Sequence, residues 1–220
     1  MMGQALALAQ DAGGDALRNI VLMGSGEPFR NYDQVVRFIR LATHPKGMDI
    51  GVRHISLSTC GLVEQMLRFA EEGLPVTLSV SLHAPDDALR QRLMPVARKY
   101  ALRDVLDACR TYIEKTGRRV IFEYALIRGV NSEPRHAEAL ANILRGMQCH
   151  VNLIPLNDVP ERGLQAASPG EISAFSDALR QRNISVSIRR EMGDDISGAC
   201  GQLRRRYIAD GAGQEGEEAV

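Results

Sequence analysis

The chain has 220 residues, of which 45% are hydrophobic and 25% charged, the balance of a soluble globular protein with one sizeable core. Its 27 basic residues equal its 27 acidic residues, which excludes a net positive charge that would attract nucleic acid. RNA binding would therefore require local basic patches. No apolar run approaches the ~20 residues that span a bilayer, and no basic signal segment opens the chain, so a cytoplasmic location is expected.

The cysteines are widely spaced, and no two of them form a CxxC pair. Cys60, Cys109, Cys149 and Cys200 lie 49, 40 and 51 residues apart. This spacing supports neither a zinc site nor a short disulfide framework, so free thiols in a reducing compartment are expected and no metal ligands are assigned. Cys109 falls on an apolar helix stripe and Cys149 begins a strand, which predicts structural roles for both.

Segments of strand character alternate with helical segments along the chain. The predicted strands cover residues 18–24, 54–58, 76–82, 120–127, 151–155 and 184–188. The helical segments between them carry ordinary start and stop signals: Gly13 and Gly117 as ends, Asn31 as a cap, Pro134 as a first residue, and Ser168 with Glu171 as a capping pair. This alternation predicts an α/β fold with right-handed βαβ units and a parallel sheet.

The first strand is predicted to be buried on both faces, because its apolar run is continuous and is bounded by glycine and proline. The chain opens inside a helical pattern, which suggests that a preceding βα unit is missing. Nothing in the pattern marks a second domain.

Polar residues follow or close most of the predicted strands. They are Glu27, Ser58, Ser81, His83, Glu123 and Asn157. Any one of these residues alone is more often a turn former, a helix cap or a structural histidine than a ligand contact. Because the carboxyl ends of parallel strands meet at one edge, the six together predict a ligand site there, although the pattern does not name the ligand.

A set of short motifs in a fixed order carries a family resemblance. The motifs are Gly24-Ser25-Gly26-Glu27-Pro28, Ser58-Thr59-Cys60-Gly61, Ser81-Leu82-His83-Ala84-Pro85, Asn131, Asn152-Leu153-Ile154-Pro155 with Asn157, and Gly193-Asp194-Asp195-Ile196 with Ala199-Cys200-Gly201-Gln202-Leu203. Over residues 18–203 the chain resembles the bacterial radical S-adenosylmethionine (SAM) enzymes that methylate carbon 2 of adenine in 23S ribosomal RNA and in some tRNAs. The resemblance implies a partial (β/α) barrel of the radical SAM type lacking its first βα unit.

The resemblance also divides the chain and assigns roles to residues. It implies a barrel over residues 1–193, a C-terminal segment 194–209 that holds the methyl carrier, and a disordered tail 210–220. In the family, Gly26 and Glu27 would contact the amino end of SAM. The other residues expected to bind SAM are Ser58, Ser81, Leu82, His83 and Asn157.

Cys200 matches the catalytic methyl carrier of the family. It would take a methyl group from one SAM molecule, and a deoxyadenosyl radical from a second would remove a hydrogen from that methyl. The resulting carbon radical would add to adenine. A thiolate suits the first step because it is a good nucleophile, whereas an adenine carbon without a lone pair is not.

The resemblance further implies a 4Fe-4S cluster, held in the family by a Cys-xxx-Cys-xx-Cys motif that this sequence does not contain. The chain by itself is therefore expected to be an inactive C-terminal catalytic fragment. The implied partners are 23S ribosomal RNA, tRNA and an electron-donor protein such as flavodoxin, with no membrane and with a monomeric state. Arginines 189, 190 and 204–206 are candidate contacts for RNA phosphates.

Two positions depart from the family pattern, and alternative functions remain open. Ser25 stands where methionine is usual, and Cys60 stands where serine is usual. One alternative is a relative without a cluster that only binds SAM or RNA, and another is methylation of adenine carbon 8. An unrelated barrel enzyme for a small phosphorylated or carboxylated molecule would need a strand-end lysine or a carboxylate pair, and none stands out.

Overall fold

Strands and helices alternate as the sequence predicts. The computed structural model describes residues 1–11, 13, 17–24, 26–156 and 164–189. The strands are β1 (Ile20–Leu22), β2 (Ile55–Thr59), β3 (Thr77–Ser81), β4 (Val120–Leu126), β5 (Cys149–Pro155) and β6 (Val186–Ile188). The helices are α1 (Met2–Asp11), α2 (Tyr32–Thr43), α3 (Val63–Glu71), α4 (Asp87–Leu93), α5 (Leu102–Thr116), α6 (Pro134–Leu144) and α7 (Pro169–Gln181).

The six strands form one parallel sheet whose spatial order follows the chain, from β1 to β6. Each strand thus lies beside the strand that precedes it in the chain, which is the strand order of a (β/α) barrel. This order confirms the predicted α/β class. The register places Ser81 opposite Glu123 and Glu123 opposite Asn152. This register decides which side chains share a face.

The sheet has one apolar and one polar face, because successive side chains of a strand point in opposite directions. On the apolar face, Leu57, Leu78, Phe122 and Leu153 are fully buried in one core with the inward sides of the helices. The alternation and the register put the following residues on the opposite face, called here the polar face: Ser56, Ser58, Thr77, Ser79, Ser81, Glu123, His150, Asn152 and Ser187.

Strand β1 is not buried on both faces, so that prediction was wrong. Ile20 faces the core, but Val21 is 60% exposed. Burial of both faces requires packed layers above and below the sheet, and the face of β1 that carries Val21 has no such layer among the described residues. A continuous apolar run does not distinguish a strand covered on one face from a strand covered on both.

The predicted helix boundaries hold with one exception. Gly117 ends α5 with a left-handed φ of 65°, and Ser168 and Glu171 form the predicted capping box at the start of α7. Asn31 occupies the cap position of α2 but makes no side-chain cap hydrogen bond. A short 3₁₀ helix, Pro28–Asn31, leads directly into α2, so Asn31 is already part of a hydrogen-bonded turn.

Candidate functional site

A cavity opens on the polar face toward the carboxyl ends of the strands, the edge where parallel α/β folds bind ligands. Gly26 and Glu27 enter it from the turn after β1. Ser58 comes from β2, and Ser81 and His83 come from the end of β3. The structure therefore brings five of the predicted site residues to one place.

Among the described residues, Leu82 is the predicted site residue that does not line this cavity. The side chain of Leu82 is fully buried in the apolar core, and its main-chain N–H donates to the carbonyl of Glu123 at 3.0 Å. Asn157 and Cys200 lie outside the described residues. Their roles stay predictions.

The turn after β1 is fixed by a glycine and a carboxylate. Gly26 has a φ of +106°, a conformation that residues with a side chain rarely adopt. The Glu27 carboxylate accepts the main-chain N–H of Phe29 at 3.1 Å and that of Cys60 at 2.7 Å. Glu27 thus ties the turn after β1 to the turn after β2. Since a carboxylate has about four acceptor positions, it keeps capacity for a ligand.

Cys60 lines the same cavity but does not present a thiolate. Burial raises the pKa of its thiol to about 12, and the hydrogen bond to Glu27 and that carboxylate's charge add to the shift. A thiol with such a pKa stays protonated at neutral pH and is a poor nucleophile. Replacement of the usual serine by Cys60 therefore leaves a hydrogen-bond donor to Glu27.

His83 is held in an unusual conformation that fixes its protonation. It has a φ of +58°, and its Nδ1 accepts the main-chain N–H of Ala125 at 3.0 Å. An accepting Nδ1 places the proton of the neutral ring on Nε2. Burial, together with the positive charge of Arg90, lowers the pKa of His83 to about 4. The ring therefore offers the site a neutral N–H donor.

Asn131 holds the His83 turn in place. It is fully buried, and its Nδ2 donates to the carbonyls of His83 at 2.8 Å and Ala125 at 2.7 Å. Its Oδ1 accepts the N–H of Ile127 at 2.7 Å. The sequence singled out Asn131 within a motif but assigned it no role. The structure shows that it positions the turn.

Glu123 lies in the cavity wall with only 5% of its surface exposed. Asn152 Nδ2 donates to its Oε2 at 2.8 Å, and Ser79 also hydrogen-bonds the carboxylate. Burial raises the pKa of Glu123, whereas these hydrogen bonds and the charge of Arg189 act in the opposite direction. The sequence placed Glu123 at this edge without predicting its hydrogen-bond partners.

Two arginines lie near the site in positions that the sequence did not predict. Arg90 on α4 is fully buried and donates to the carbonyls of Cys60 at 2.9 Å and Tyr100 at 3.3 Å. Its guanidinium thereby supports the turn after β2 from behind. Arg189, a candidate contact for RNA phosphates, also lines the cavity. No local sequence pattern distinguishes the buried Arg90 from the exposed arginines of the chain.

The described residues do not fit an iron–sulfur cluster or any other bound metal. Within the described ranges, no group of three or more His, Cys, Asp or Glu side chains is placed to hold a metal ion. Cys60, Cys109 and Cys149 are free thiols, and Cys109 is fully buried as predicted. In the same part of the chain, no helix has the length and apolar character needed to cross a membrane.

Comparison with sequence families identifies the class of protein. The profile of the radical SAM superfamily matches residues 3–140, which is more than half of the chain. The chain belongs to the radical SAM superfamily. The family resemblance expected from the motifs is thereby confirmed at the level of the superfamily.

Curated relatives show which members of that superfamily the chain is similar to. The probable dual-specificity RNA methyltransferase RlmN of Alkaliphilus oremlandii is 51% identical over 208 residues, which cover 94% of this chain and 60% of the relative. The protein of the same name from Clostridium tetani is 50% identical over 208 residues, covering 94% and 59%. The chain therefore spans about 60% of the length of these relatives.

Solved structures agree with the fold. A radical SAM methyltransferase from Sphaerobacter thermophilus matches with a TM-score of 0.88 at 48% identity, covering 93% of this chain and 60% of that one. A domain of pyruvate-formate lyase-activating enzyme from Bacteroides vulgatus matches with a TM-score of 0.60 at 19% identity, covering 79% and 99%. The second likeness concerns the fold alone. Together they confirm the predicted α/β fold of the radical SAM type.

Proposed function

We propose that this chain supplies the SAM site of an enzyme that methylates carbon 2 of adenine in 23S ribosomal RNA, with tRNA as a further substrate. The observation that carries the proposal is the convergence of Gly26, Glu27, Ser58, Ser81 and His83 on one cavity of a radical SAM chain. The relatives named as dual-specificity RNA methyltransferases support RNA as the substrate class.

The side chains of the cavity suit SAM chemically. When bound, this cofactor supplies methyl groups and, after reductive cleavage, a deoxyadenosyl radical. Glu27 keeps acceptor capacity that suits an ammonium group. The Nε2–H of His83 and the hydroxyls of Ser58 and Ser81 offer hydrogen bonds to carboxylate and ribose oxygens.

We assign the methyl carrier to Cys200 because it matches the carrier cysteine of the family that the chain resembles, and the state of the described cysteines is compatible with this assignment. Burial raises the pKa of Cys149 to about 11 and that of Cys60 to about 12, and it raises the pKa of the fully buried Cys109 further still. Cys200 follows Gly198-Ala199 and precedes Gly201, a sequence that allows close backbone approach to the cavity.

The proposal includes partners that the chain does not itself hold. The 4Fe-4S cluster has no ligand set within the described residues, so we assign it to family segments outside this chain, together with an electron donor such as flavodoxin. We expect the chain by itself, as a monomer, to release no deoxyadenosine when it is incubated with SAM and a reductant. Release above a blank without protein would contradict this expectation.

Calorimetric titration with SAM tests the site directly. We expect Ser58→Ala to weaken binding by about fivefold, because the loss of one hydrogen bond costs about 1 kcal/mol. Ser56→Ala is the matched control, since Ser56 lies two residues earlier on the same face of β2 and does not line the cavity. Equal affinities for wild type and Ser58→Ala would contradict the assignment.

A further inference from the structure

Glu123 is a buried carboxyl group that forms no ion pair with any other described residue. Its side chain lies on the polar face in the wall of the cavity, opposite Ser81 in the sheet register. A buried carboxylate without an ion-pair partner is costly, which favours a ligand that brings positive charge.

A chain of hydrogen bonds across three strands points its donors toward Glu123. Asn152 donates to Glu123 at 2.8 Å, and the Ser187 hydroxyl donates to Asn152 Oδ1 at 3.1 Å. Because the single proton of Ser187 is used in this way, its oxygen accepts from His150 Nε2 at 2.7 Å, and His150 Nδ1 then accepts from the Ser185 hydroxyl at 2.8 Å. Such an array stabilises the ionised form of Glu123 and fixes its orientation.

Neither Arg189 nor Arg90 forms an ion pair with Glu123. Arg189 is the one cation among the described residues of the cavity wall, but it is exposed, so solvent screens its charge. Arg90 does not line the cavity and is engaged by the carbonyls of Cys60 and Tyr100. Glu27 adds a second carboxylate to the wall.

We propose that Glu123 makes the cavity discriminate by charge, so that it binds the sulfonium cofactor SAM in preference to the neutral thioether S-adenosylhomocysteine. The inference rests on the proposed function, because it concerns the same cavity. The two ligands differ by one methyl group and one positive charge. An interaction with a buried carboxylate therefore separates them where hydrogen bonds to ribose and amino acid groups do not.

Calorimetry with both ligands on the whole chain tests the inference. Wild type is expected to bind SAM more tightly than S-adenosylhomocysteine, and Glu123→Gln to reduce that preference by about tenfold, chiefly by weakening SAM binding. Glu138→Gln is the matched control, because it removes one negative charge from an exposed ion pair on α6. Glu123→Asp, which keeps the charge, is expected to retain the preference.

The outcomes separate this inference from the proposed function. If wild type binds both ligands equally, or if Glu123→Gln keeps the wild-type ratio, the inference fails while SAM binding stands. If wild type binds neither ligand, the proposed function fails and the inference falls with it. Circular dichroism of each variant checks that the fold is retained, and the charge-conserving Glu123→Asp gives a second reading should Glu123→Gln not fold.

Discussion

The ring of His83 is neutral in the folded chain over a pH range in which an exposed histidine takes up a proton. Burial and the Arg90 charge lower its pKa from 6.5 to about 4. Between these values the unfolded chain binds more protons than the folded chain. Stability is therefore fully present above about pH 6.5 and decreases as the pH falls toward 4, by up to about 3 kcal/mol.

Replacement of His83 by asparagine tests this linkage. Asparagine tolerates a positive φ, and its Oδ1 can accept the Ala125 N–H, but it does not titrate in this range. From urea unfolding at pH 7 and pH 4.5, we expect His83→Asn to lose about 2 kcal/mol less stability than wild type. His44→Asn is the control, since His44 is exposed while its Nδ1 also accepts a main-chain N–H. If His83→Asn lost as much stability between the two pH values as wild type does, the assignment of the pH dependence to His83 would be contradicted.

The sequence predicted which residues reach the cavity but not the contacts that hold them there. Strand ends are local features, so Glu27 and Ser58 could be placed at this edge from the sequence pattern. The bond from Asn131 to His83 spans 48 positions, and the bond from Arg90 to Cys60 spans 30. Contacts between residues so far apart depend on how whole elements pack, which no short pattern contains.

At the scale of elements, the start of α7 is stabilised by its own side chains. Ser168 Oγ accepts the N–H of Glu171 at 3.3 Å, and Glu171 Oε2 accepts the main-chain N–H of Ser168 at 2.7 Å. We expect Ser168→Ala to lower the free energy of unfolding by about 1 kcal/mol, because helix N–H groups lose their acceptor. Urea unfolding measures the difference.

The control for this prediction lies one turn further along α7. Ser173 is exposed and lies in the interior of the helix, where alanine is the better helix former. Ser173→Ala is therefore expected to leave stability unchanged or to raise it slightly. If Ser168→Ala were as stable as Ser173→Ala, the capping box would contribute nothing measurable.

The strands and helices could be predicted where they are long or where their apolar residues recur with a clear period. All six strands lie within two residues of their predicted bounds. Helix α4, Asp87–Leu93, was missed because its seven residues are too few for a helical period to show. The exposure of β1 was also missed, since it depends on which layers pack against the sheet.

Across the molecule, one face of the sheet stabilises the fold and the other carries the candidate binding site. The apolar face builds the core, and the polar face carries serines, Glu123 and Asn152 toward the cavity. Serine alternates with apolar residues in β2 and β3, so the sequence itself indicates one apolar and one polar face of the sheet. The order of the strands, which gathers their ends into one cavity, follows from right-handed βαβ connections.

The most direct test of the account is to locate bound SAM by nuclear magnetic resonance on the ¹⁵N-labelled chain. Titration with SAM is expected to shift the amide signals of Gly26, Ser58 and His83, at the carboxyl ends of β1 to β3. The groove between α2 and α3, lined by Arg37 and Arg68 on another part of the surface, is expected to stay unchanged. Shifts confined to that groove, or no shifts at saturating SAM, would contradict the assignment of the cavity as the cofactor site.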